Sequence, residues 1–474
     1  MRSQVYAIDA WHNQEMSPDE FRAAAHQVVD WMADYMRDIH AYPVLANSEP
    51  GALIDRLPAH GPETGEPVAA ILDDFQKLIV PGLTHWNHPR FFAYFAITAS
   101  GPGILADMLS SALNVQGMLW KTSPAATELE QVTLGWLREW LKLPPEFFGL
   151  IHDTASTASM HAILAARELA APQARLSGEH PRLILYRSEH AHNSIDKGAV
   201  VVGVGQENIR KIATDAEFRM DPRALEAAIE ADLAAGKKPF CVVATLGTTA
   251  MTSADPLEPI LRIAGRHGLW VHVDAAYGGP AALLEEYRPL FAGIERADSM
   301  VLNPHKWLFT PFDLSILYTR RPEILRRSLA LGEVPAYLQV TQHERALNYS
   351  DYTLPLGRRF RSLKLWFVLR YYGRDGIVRV LREHMRLAQE LAGWIGQDPR
   401  FELSAPAPFS LVCFRYKGSD AENRALFERI NTSGKAFLSS TEVNGKYVLR
   451  WAIGNMGTTE RDVRETWELI RGLV

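Results

Sequence analysis

Cysteine is scarce in this chain, and its scarcity limits the chemistry that thiols can do. The 474 residues include two cysteines, Cys241 and Cys413, which lie far apart and form no C-x-x-C spacing. Cysteine-based zinc sites, redox motifs and disulfide frameworks need more cysteines or closer spacings. Both cysteines stand in apolar, strand-like runs, which predicts two buried free thiols.

Long hydrophobic runs and an excess of basic residues are also missing. No apolar run approaches the roughly 20 residues of a transmembrane helix, and the N-terminal stretch contains no apolar core of a signal peptide. The net charge of -5 and the pI of about 6.4 give no basic surface for nucleic acid or an anionic membrane. We therefore expect a cytoplasmic protein that binds neither.

Two common nucleotide-binding motifs are absent from the sequence. Gly203-Val204-Gly205 does not continue as G-x-G-x-x-G, and G-x-x-x-x-G-K-[ST] does not occur. A dinucleotide-dependent enzyme or a P-loop enzyme is therefore disfavoured.

What is present is an ordinary globular composition, 47% hydrophobic and 22% charged, with ample material for a large core. Residues 1–100 read as helical and then irregular, and SPDE at 17–20 is a strong helix start with a capping box. Residues 101–375 begin with helices and continue with alternating strands and helices. Residues 376–474 change to an α+β pattern with a hairpin signal, Asn-Gly, at 444–445.

Several strand-like runs between about 150 and 320 are unbroken apolar stretches. Such runs predict a mostly parallel sheet that is covered on both faces, an α/β fold. The predicted strands are Leu183–Tyr186, Phe240–Leu246, Leu269–Asp274, Met300–Asn303 and Leu314–Tyr318, and the predicted helices between them are Thr154–Ala171, Pro222–Ala235 and Pro256–His267.

Polar clusters follow four of these predicted strands, at 188–192, 247–249, 274 and 303–306. Ligands of parallel sheets bind at the carboxyl ends of the strands. Because four successive strand ends carry reactive groups, we expect a ligand site at this edge.

A lysine in the segment Asn303-Pro304-His305-Lys306-Trp307 is the first candidate for chemistry. Pro304 ends the preceding strand, and large apolar side chains resume at Trp307. A lysine at such a place is partly desolvated, which favours the neutral amine that a Schiff-base lysine requires. Alternatively, Lys306 extends past its apolar neighbours to water.

Asp274 is the second candidate. It follows an apolar strand, and the small residues Ala275 and Ala276 leave room for a flat group. A buried carboxylate needs a cationic partner. The partner is either Lys306, in a structural salt bridge, or a ligand cation such as a pyridinium nitrogen, which leaves Lys306 free to bond an aldehyde.

Two further features, a helix N-terminus and a histidine, could also contact a bound ligand. Thr154-Ala155-Ser156 begins a helix whose N-terminus can bind phosphate, ordinary capping being the alternative, and Asn303 can add a hydrogen bond. His192 is either a satisfied core histidine or a ring that stacks on a planar ligand. An aldehyde-capturing amine, a pyridinium partner, a phosphate site and a stacking ring together match pyridoxal phosphate.

Two other readings compete with this one. The i, i+2 pairs His190/His192 and His272/Asp274 could be ligands in a metal-dependent hydrolase. However, the sequence offers no clear carboxylate as a further metal ligand, and this interpretation leaves Lys306 unexplained. A non-enzymatic binding protein of the same fold would have one of the key groups substituted, and none is.

Specific motifs link these candidates to a known family. NPHKW at 303–307 follows HVDAAY at 272–277, and AHNS stands upstream at 191–194. On these motifs the chain resembles the pyridoxal-phosphate-dependent group II decarboxylases, and within them the aromatic-L-amino-acid decarboxylases. The resemblance covers almost the whole chain and is carried by HPRFFAYF (88–95), SPAATELE (123–130), DTASTAS (153–159), SEHAHNSIDKGA (188–199), ATLGTTA (244–250), LWVHVDAAYGG (269–279), NPHKWLF (303–309) and PLGRRFRSLKLWF (355–367).

The resemblance implies the fold type I architecture of pyridoxal-phosphate-dependent transferases and an obligate homodimer. Residues 1–100 would form a helical segment that packs on the partner, 101–375 the cofactor domain with a mostly parallel seven-stranded sheet, and 376–474 a small α+β domain.

The resemblance also implies residue roles. Lys306 would hold pyridoxal 5′-phosphate as the internal aldimine, Asp274 would pair with the pyridine nitrogen, and His192 would stack on the ring. Further cofactor-binding positions would be Thr154, Ala155, Ser156, Thr249, Ala276, Asn303, His305 and, from the other subunit, Gly357.

The reaction implied is decarboxylation of tryptophan, phenylalanine, tyrosine or dihydroxyphenylalanine to an arylalkylamine and CO2. Tyr337, in a loop over the site, matches the family's catalytic tyrosine, the proton donor to the carbon that loses the carboxylate. Aldehyde-forming members tend to replace this tyrosine by phenylalanine or the stacking histidine by asparagine, so Tyr337 and His192 favour amine formation. The implied substrate pocket consists of Trp86, Tyr94, Phe95, Thr98, Met118 and His192.

Overall fold

The computed structural model describes residues 16–330 and 345–474. These residues form one large sheet, one smaller sheet and the helices that pack on them. The strands are β1 (Phe91–Phe92), β2 (Phe148–His152), β3 (Leu183–Ser188), β4 (Ile209–Ile212), β5 (Lys238–Thr245), β6 (Trp270–Asp274), β7 (Ser299–Leu302), β8 (Ser315–Thr319), β9 (Phe401–Leu403), β10 (Leu411–Tyr416), β11 (Phe437–Val443) and β12 (Lys446–Ala452).

The large sheet has seven strands in the order β2-β8-β7-β6-β5-β3-β4. β8 runs antiparallel to both of its neighbours, and the other neighbouring pairs are parallel. The predicted mostly parallel α/β sheet is therefore confirmed. The strands β2 and β4, at the two edges, were not predicted, since IRKI in β4 is short and half charged.

Apolar cores cover both faces of this sheet. Ile184 and Tyr186 of β3 pack into one core, whereas Leu183 and Leu185 pack into a second core on the opposite face. Successive side chains of a strand point to opposite faces, so an unbroken apolar run is what a doubly covered strand needs.

Helices connect the strands and supply these covers. The helices predicted for this region begin and end within one residue of the structure. The α-helices are α1 (Pro18–Arg37), α2 (Val68–Asp74), α3 (Gly101–Leu113), α4 (Pro124–Trp140), α5 (Ala155–Ala170), α6 (Ala174–Ser177), α7 (Ser194–Val201), α8 (Pro222–Ala234), α9 (Leu257–Arg266), α10 (Pro304–Trp307), α11 (Pro322–Leu329), α12 (Ser362–Gln397), α13 (Asp420–Thr432) and α14 (Glu460–Gly472).

The smaller sheet combines both ends of the chain. Its order is β1-β11-β12-β10-β9, and β1 pairs in parallel with β11. β11 and β12 form the predicted hairpin, whose turn residues Asn444 and Gly445 have φ of 51° and 73°. The predicted boundary at 375/376 falls inside α12, close to a kink at Gly373 where φ is 62°.

The N-termini of α1 and α4 differ in how they are capped. Ser17 and Glu20 form the predicted capping box of α1. Ser123 is the N-cap of α4, but its hydroxyl donates to the Gln116 carbonyl at 2.6 Å and makes no capping bond. Gly101-Pro102-Gly103 form the first turn of α3, which has Ser100 as its N-cap.

The two cysteines are buried free thiols, as predicted. Within the described ranges, none of the helices combines the length and apolarity that crossing a membrane requires.

Candidate active site

A cavity of about 170 Å³ lies at the carboxyl edge of the large sheet. The polar clusters that follow β3, β5, β6 and β7 meet here with the N-terminus of α5, as the sequence predicts. Its lining consists of Phe95, Thr154, Ala155, Ser156, His192, Ser194, Thr245, Gly247, Thr249, Asp274, Ala276, Tyr277, Asn303, His305 and Lys306.

Lys306 lies on α10, the single turn that follows β7, and is partly buried. Its Nζ atom lies 5.4 Å from the centroid of the Phe95 ring. Burial lowers the pKa of this amine below its ordinary value, and the Asp274 carboxylate opposes that effect. In the described part of the chain, Lys306 has no ion pair within 4.0 Å, so the geometry does not favour the structural salt bridge.

Asp274 ends β6 and is buried. Its Oδ1 accepts a hydrogen bond from the backbone N–H of Ala276 at 3.1 Å. This contact orients the carboxylate while the other oxygen stays available to the cavity. Asp274 is the one carboxylate in the lining.

The N-terminus of α5 has the features of an anion site. Thr154 is the N-cap with extended backbone, but its side chain makes no capping bond. The first N–H groups of α5 are therefore left without a side-chain cap beside the cavity, and ordinary capping, the alternative reading, is not what the structure has.

One further polar group, the Asn303 amide, suits a phosphate. The Asn303 Oδ1 accepts from the Ser315 hydroxyl at 2.7 Å, which leaves the amide NH2 to donate. The Thr245 Oγ1 is also buried without a hydrogen-bond partner among the described residues, but Thr245 pairs with Asp274 in the register of β5 and β6 and so lies at the Asp274 end of the cavity. A phosphate would satisfy donors that are otherwise unpaired, so the residues present fit this group.

His192 and His305 are both neutral and have defined tautomers. The Ser194 backbone N–H donates to His192 Nδ1 at 3.2 Å, so the ring proton lies on Nε2. Desolvation lowers the pKa of His192. The Leu314 N–H donates to His305 Nδ1 at 2.9 Å, and burial lowers the pKa of His305 to about 3.

An aromatic stack forms one wall of the cavity. The Tyr277 ring stacks on Phe95 at 3.8 Å and on Trp307 at 4.7 Å between centroids. Sequence reasoning missed Tyr277, although it directly follows the HVDAA motif. It also missed Ser194, Thr245 and Gly247.

Two glycines let the turns beneath the cavity approach each other. Gly247 has a φ of 98°, and a Cβ atom on Gly278 would collide with the Leu246 carbonyl oxygen. Side chains at these positions would separate the ends of β5 and β6.

The predicted substrate residues lie in three different places. Phe95 lines the cavity, whereas Trp86 stacks on Phe91 and Tyr94 in an adjacent aromatic cluster. Thr98 lines a second cavity, of about 670 Å³, beside α1.

Met118 and Gly357 lie on neighbouring segments, and neither is in the lining of the cavity. Gln116 and Arg359 form an antiparallel bridge, and the Gly117 N–H donates to the Arg358 carbonyl at 2.8 Å. The segments that carry Met118 and Gly357 are therefore paired with each other.

Tyr337 lies outside the described residues. Within those residues, no group of three or more His, Cys, Asp or Glu side chains is arranged to hold a metal ion. His272, half of one proposed metal pair, instead uses both ring nitrogens to bond serines.

A mostly parallel seven-stranded sheet, with Lys306, Asp274 and a helix N-terminus together at its carboxyl edge, is the arrangement expected of a pyridoxal-phosphate enzyme of fold type I. The model of the pyridoxal-dependent decarboxylase conserved domain matches residues 50–417, and the chain belongs to this family. Its cofactor is pyridoxal 5′-phosphate. The resemblance seen in the sequence is confirmed.

Similar proteins cover nearly the whole chain. The aromatic-L-amino-acid decarboxylase of Sus scrofa is 42% identical over 97% of this chain and 97% of that protein. A phenylacetaldehyde synthase of Arabidopsis thaliana is 40% identical over 96% of each. The structure of Oryza sativa TDC with PLP and tryptamine superposes with a TM-score of 0.92 and 37% identity, over 97% of this chain and 98% of that one.

Proposed function

We propose that this chain decarboxylates aromatic L-amino acids to the corresponding arylalkylamines and CO2. The observation that carries the proposal is the convergence of Lys306, Asp274, His192 and the N-terminus of α5 on one cavity. Two similar proteins support an aromatic substrate: one is named aromatic-L-amino-acid decarboxylase, and the other is the Oryza sativa TDC whose structure was determined with PLP and tryptamine.

Each polar group then has a task toward the cofactor. When bound, pyridoxal phosphate supplies an aldehyde that captures amines and a pyridinium ring that accepts the electron pair left by departing CO2. Asp274 holds the proton on the pyridine nitrogen, and Lys306 offers an amine of lowered pKa. His192 covers one ring face with its neutral imidazole.

The other end of the cavity would bind the phosphate. The N-terminal N–H groups of α5 and the Asn303 amide would donate to it from two elements. Donors fixed by the sheet and a helix cost little reorganisation when an anion binds.

The residues that line the cavity indicate the class of substrate. Phe95 contributes aromatic surface to the lining, whereas Tyr277 is stacked between Phe95 and Trp307. The lining includes no arginine, and the buried Arg450 guanidinium lies behind it, 5.6 Å from the centroid of the Phe95 ring. Arg450 already donates to the Ala250 and Thr249 carbonyls and to the Ser439 hydroxyl, so an acidic side chain would find no free guanidinium here. An indole or phenyl ring would find the aromatic surface of Phe95. We infer that tryptophan and phenylalanine-type substrates are preferred.

We infer that the site is completed by a second copy of the chain. The resemblance assigns Gly357 to the partner's site, and Met118 lies on the segment paired with that of Gly357, so both would lie at the neighbouring cavity. Leu105, Leu109 and Leu113 of α3 are exposed on one face at 55%, 48% and 61%. Such a stripe needs a cover, and residues 1–100 and 101–113 of a partner would supply it.

Aldehyde formation is the second candidate, because a phenylacetaldehyde synthase is about as similar as the decarboxylases. His192 and Tyr337 favour amine formation, since aldehyde-forming relatives tend to replace one of them.

The test is product analysis. Purified protein with cofactor is incubated with tryptophan, phenylalanine, tyrosine, dihydroxyphenylalanine and glutamate, and amine, aldehyde, ammonia and CO2 are quantified. We expect CO2 and amine in equal amounts from the aromatic substrates. Aldehyde and ammonia as the main products would overturn the proposal, and a preference for glutamate would overturn the substrate class.

A further inference from the structure

His272 is a buried polar residue that the proposed reaction does not use. It lies on β6, two residues before Asp274, and is fully buried. The polar atoms of a buried imidazole normally have hydrogen-bond partners. Both ring nitrogens of His272 have such a partner.

The partners of His272 lie on two different elements. Nδ1 lies 2.9 Å from the Ser299 Oγ on β7, and Nε2 lies 3.0 Å from the Ser159 Oγ on α5. The Trp270 indole N–H donates to the same Ser299 hydroxyl at 2.9 Å. Ser299 is also the residue that faces His272 in the parallel register of the two strands.

The direction of these bonds follows from the donors. An indole N–H can only donate, so Ser299 Oγ accepts from Trp270 and its own proton can go to His272 Nδ1. The imidazole then donates from Nε2 to Ser159. Burial lowers the pKa of His272 to about 4, so the neutral ring that this chain needs persists at neutral pH.

The three bonded elements carry the proposed cofactor groups. β6 ends in Asp274, β7 leads to Asn303 and Lys306, and Ser159 lies about one helical turn from the N-terminus of α5. We propose that His272 is a positioning residue for the cofactor. Its two bonds fix α5 relative to β6 and β7, and so set the span between the phosphate donors and Asp274. This inference rests on the proposed site.

The experiment measures cofactor affinity instead of activity. Pyridoxal phosphate is removed from the purified full-length protein and titrated back into wild type, His272→Phe, Ser159→Ala and the double variant. We expect His272→Phe to raise the cofactor Kd about tenfold or more and Ser159→Ala to raise it severalfold. The double variant should match His272→Phe within about twofold, because both changes remove the same bond.

Two further measurements separate positioning from general stability. Amide exchange in the cofactor-free protein should accelerate at residues 155–160 in both single variants. His272→Gln, whose amide can reach Ser159, should recover part of the affinity, which keeps the test available if His272→Phe fails to fold. Ser328→Ala removes another buried serine hydroxyl, which bonds the Leu325 carbonyl, and should leave the Kd unchanged.

A Ser159→Ala variant with wild-type Kd, or additive effects in the double variant, would overturn the role of His272. Failure of the wild type to bind pyridoxal phosphate would instead overturn the proposed site. The identity of the product, amine or aldehyde, does not enter this measurement.

Discussion

Lys306 is subject to two opposing effects. Burial favours its neutral amine, whereas Asp274 favours the charged form. In the proposed site a pyridinium nitrogen would engage Asp274, so the carboxylate would have its own cation and the lysine would be left to act as a nucleophile.

Replacing Lys306 tests this directly. Lys306→Ala should lose the visible absorbance of covalently held cofactor, because no other lysine lines the cavity. Lys306→Arg should behave alike, since it keeps the charge but cannot form the bond. Lys211→Ala, a change at an exposed lysine, should keep the absorbance. Normal absorbance in Lys306→Ala would be fatal to the assignment.

Tyr337 is assigned from the resemblance, as the donor of the proton that completes amine formation. Tyr337→Phe removes the phenolic proton and should shift the product from amine toward aldehyde, ammonia and hydrogen peroxide, with dissolved O2 as the two-electron oxidant. Product ratios measured by chromatography decide the matter, with Tyr352→Phe, a change at a tyrosine outside the cavity lining, as the control. Unchanged amine formation at unchanged rate would contradict the role.

Strand ends were the part of the site that the sequence could predict. Apolar runs that stop at polar residues showed where His192, Asp274 and Lys306 would lie, because parallel strands bring their carboxyl ends to one edge. Tyr277 was missed because its contacts depend on a turn whose path only tertiary packing defines. The bonding of His272 was also missed, since its serine partners are distant in sequence.

A negative charge placed in the first turn of α5 should have opposite effects on two properties, the stability of the cofactor-free protein and the affinity for the cofactor. Ser156→Asp adds a carboxylate where the helix dipole favours negative charge, so the cofactor-free protein should become more stable by up to about 1 kcal/mol. The same charge should repel phosphate and raise the cofactor Kd at least about tenfold.

Ser156→Asn, which adds similar volume without charge, is the matched control. Thermal unfolding of the cofactor-free protein and cofactor titration give the two readouts. Tighter cofactor binding by Ser156→Asp would exclude a phosphate at this helix end.

Buried histidines make the whole fold sensitive to acid. Burial lowers the pKa of His272 to about 4, of His305 to about 3 and of His384 to about 4. The unfolded chain protonates them near pH 6.5. Between these values the unfolded state binds more protons, so stability is fully present above about pH 6.5 and falls as the pH is lowered.

The expected loss is about 1.4 kcal/mol per histidine for each pH unit below roughly 6. Urea unfolding midpoints at about pH 7.5 and about pH 5 measure the effect. His384→Gln should reduce the number of protons taken up on unfolding by about one, and so flatten the dependence of the free energy of unfolding on pH. Equal midpoints at the two pH values would contradict the prediction.

A shared active site can be tested by mixing inactive subunits. Lys306→Ala destroys one contribution, and Gly357→Trp should block the other by filling the site of the partner. Random reassociation gives mixed dimers in half of the molecules, each with one intact site, so roughly a quarter of wild-type activity should return. No recovery, with mixed dimers shown by mass spectrometry, would place both residues in one protomer's site.

The parallel pairing of β1 with β11 has a consequence for how the protein is made. Phe91 and Phe92 leave the ribosome early, yet their partners Phe437 and Leu438 follow more than three hundred residues later. Until then the two phenylalanines have no sheet to join, and the nascent chain carries an exposed apolar strand. Chaperone binding during synthesis should therefore begin soon after residue 92 emerges and end when the C-terminal hairpin closes.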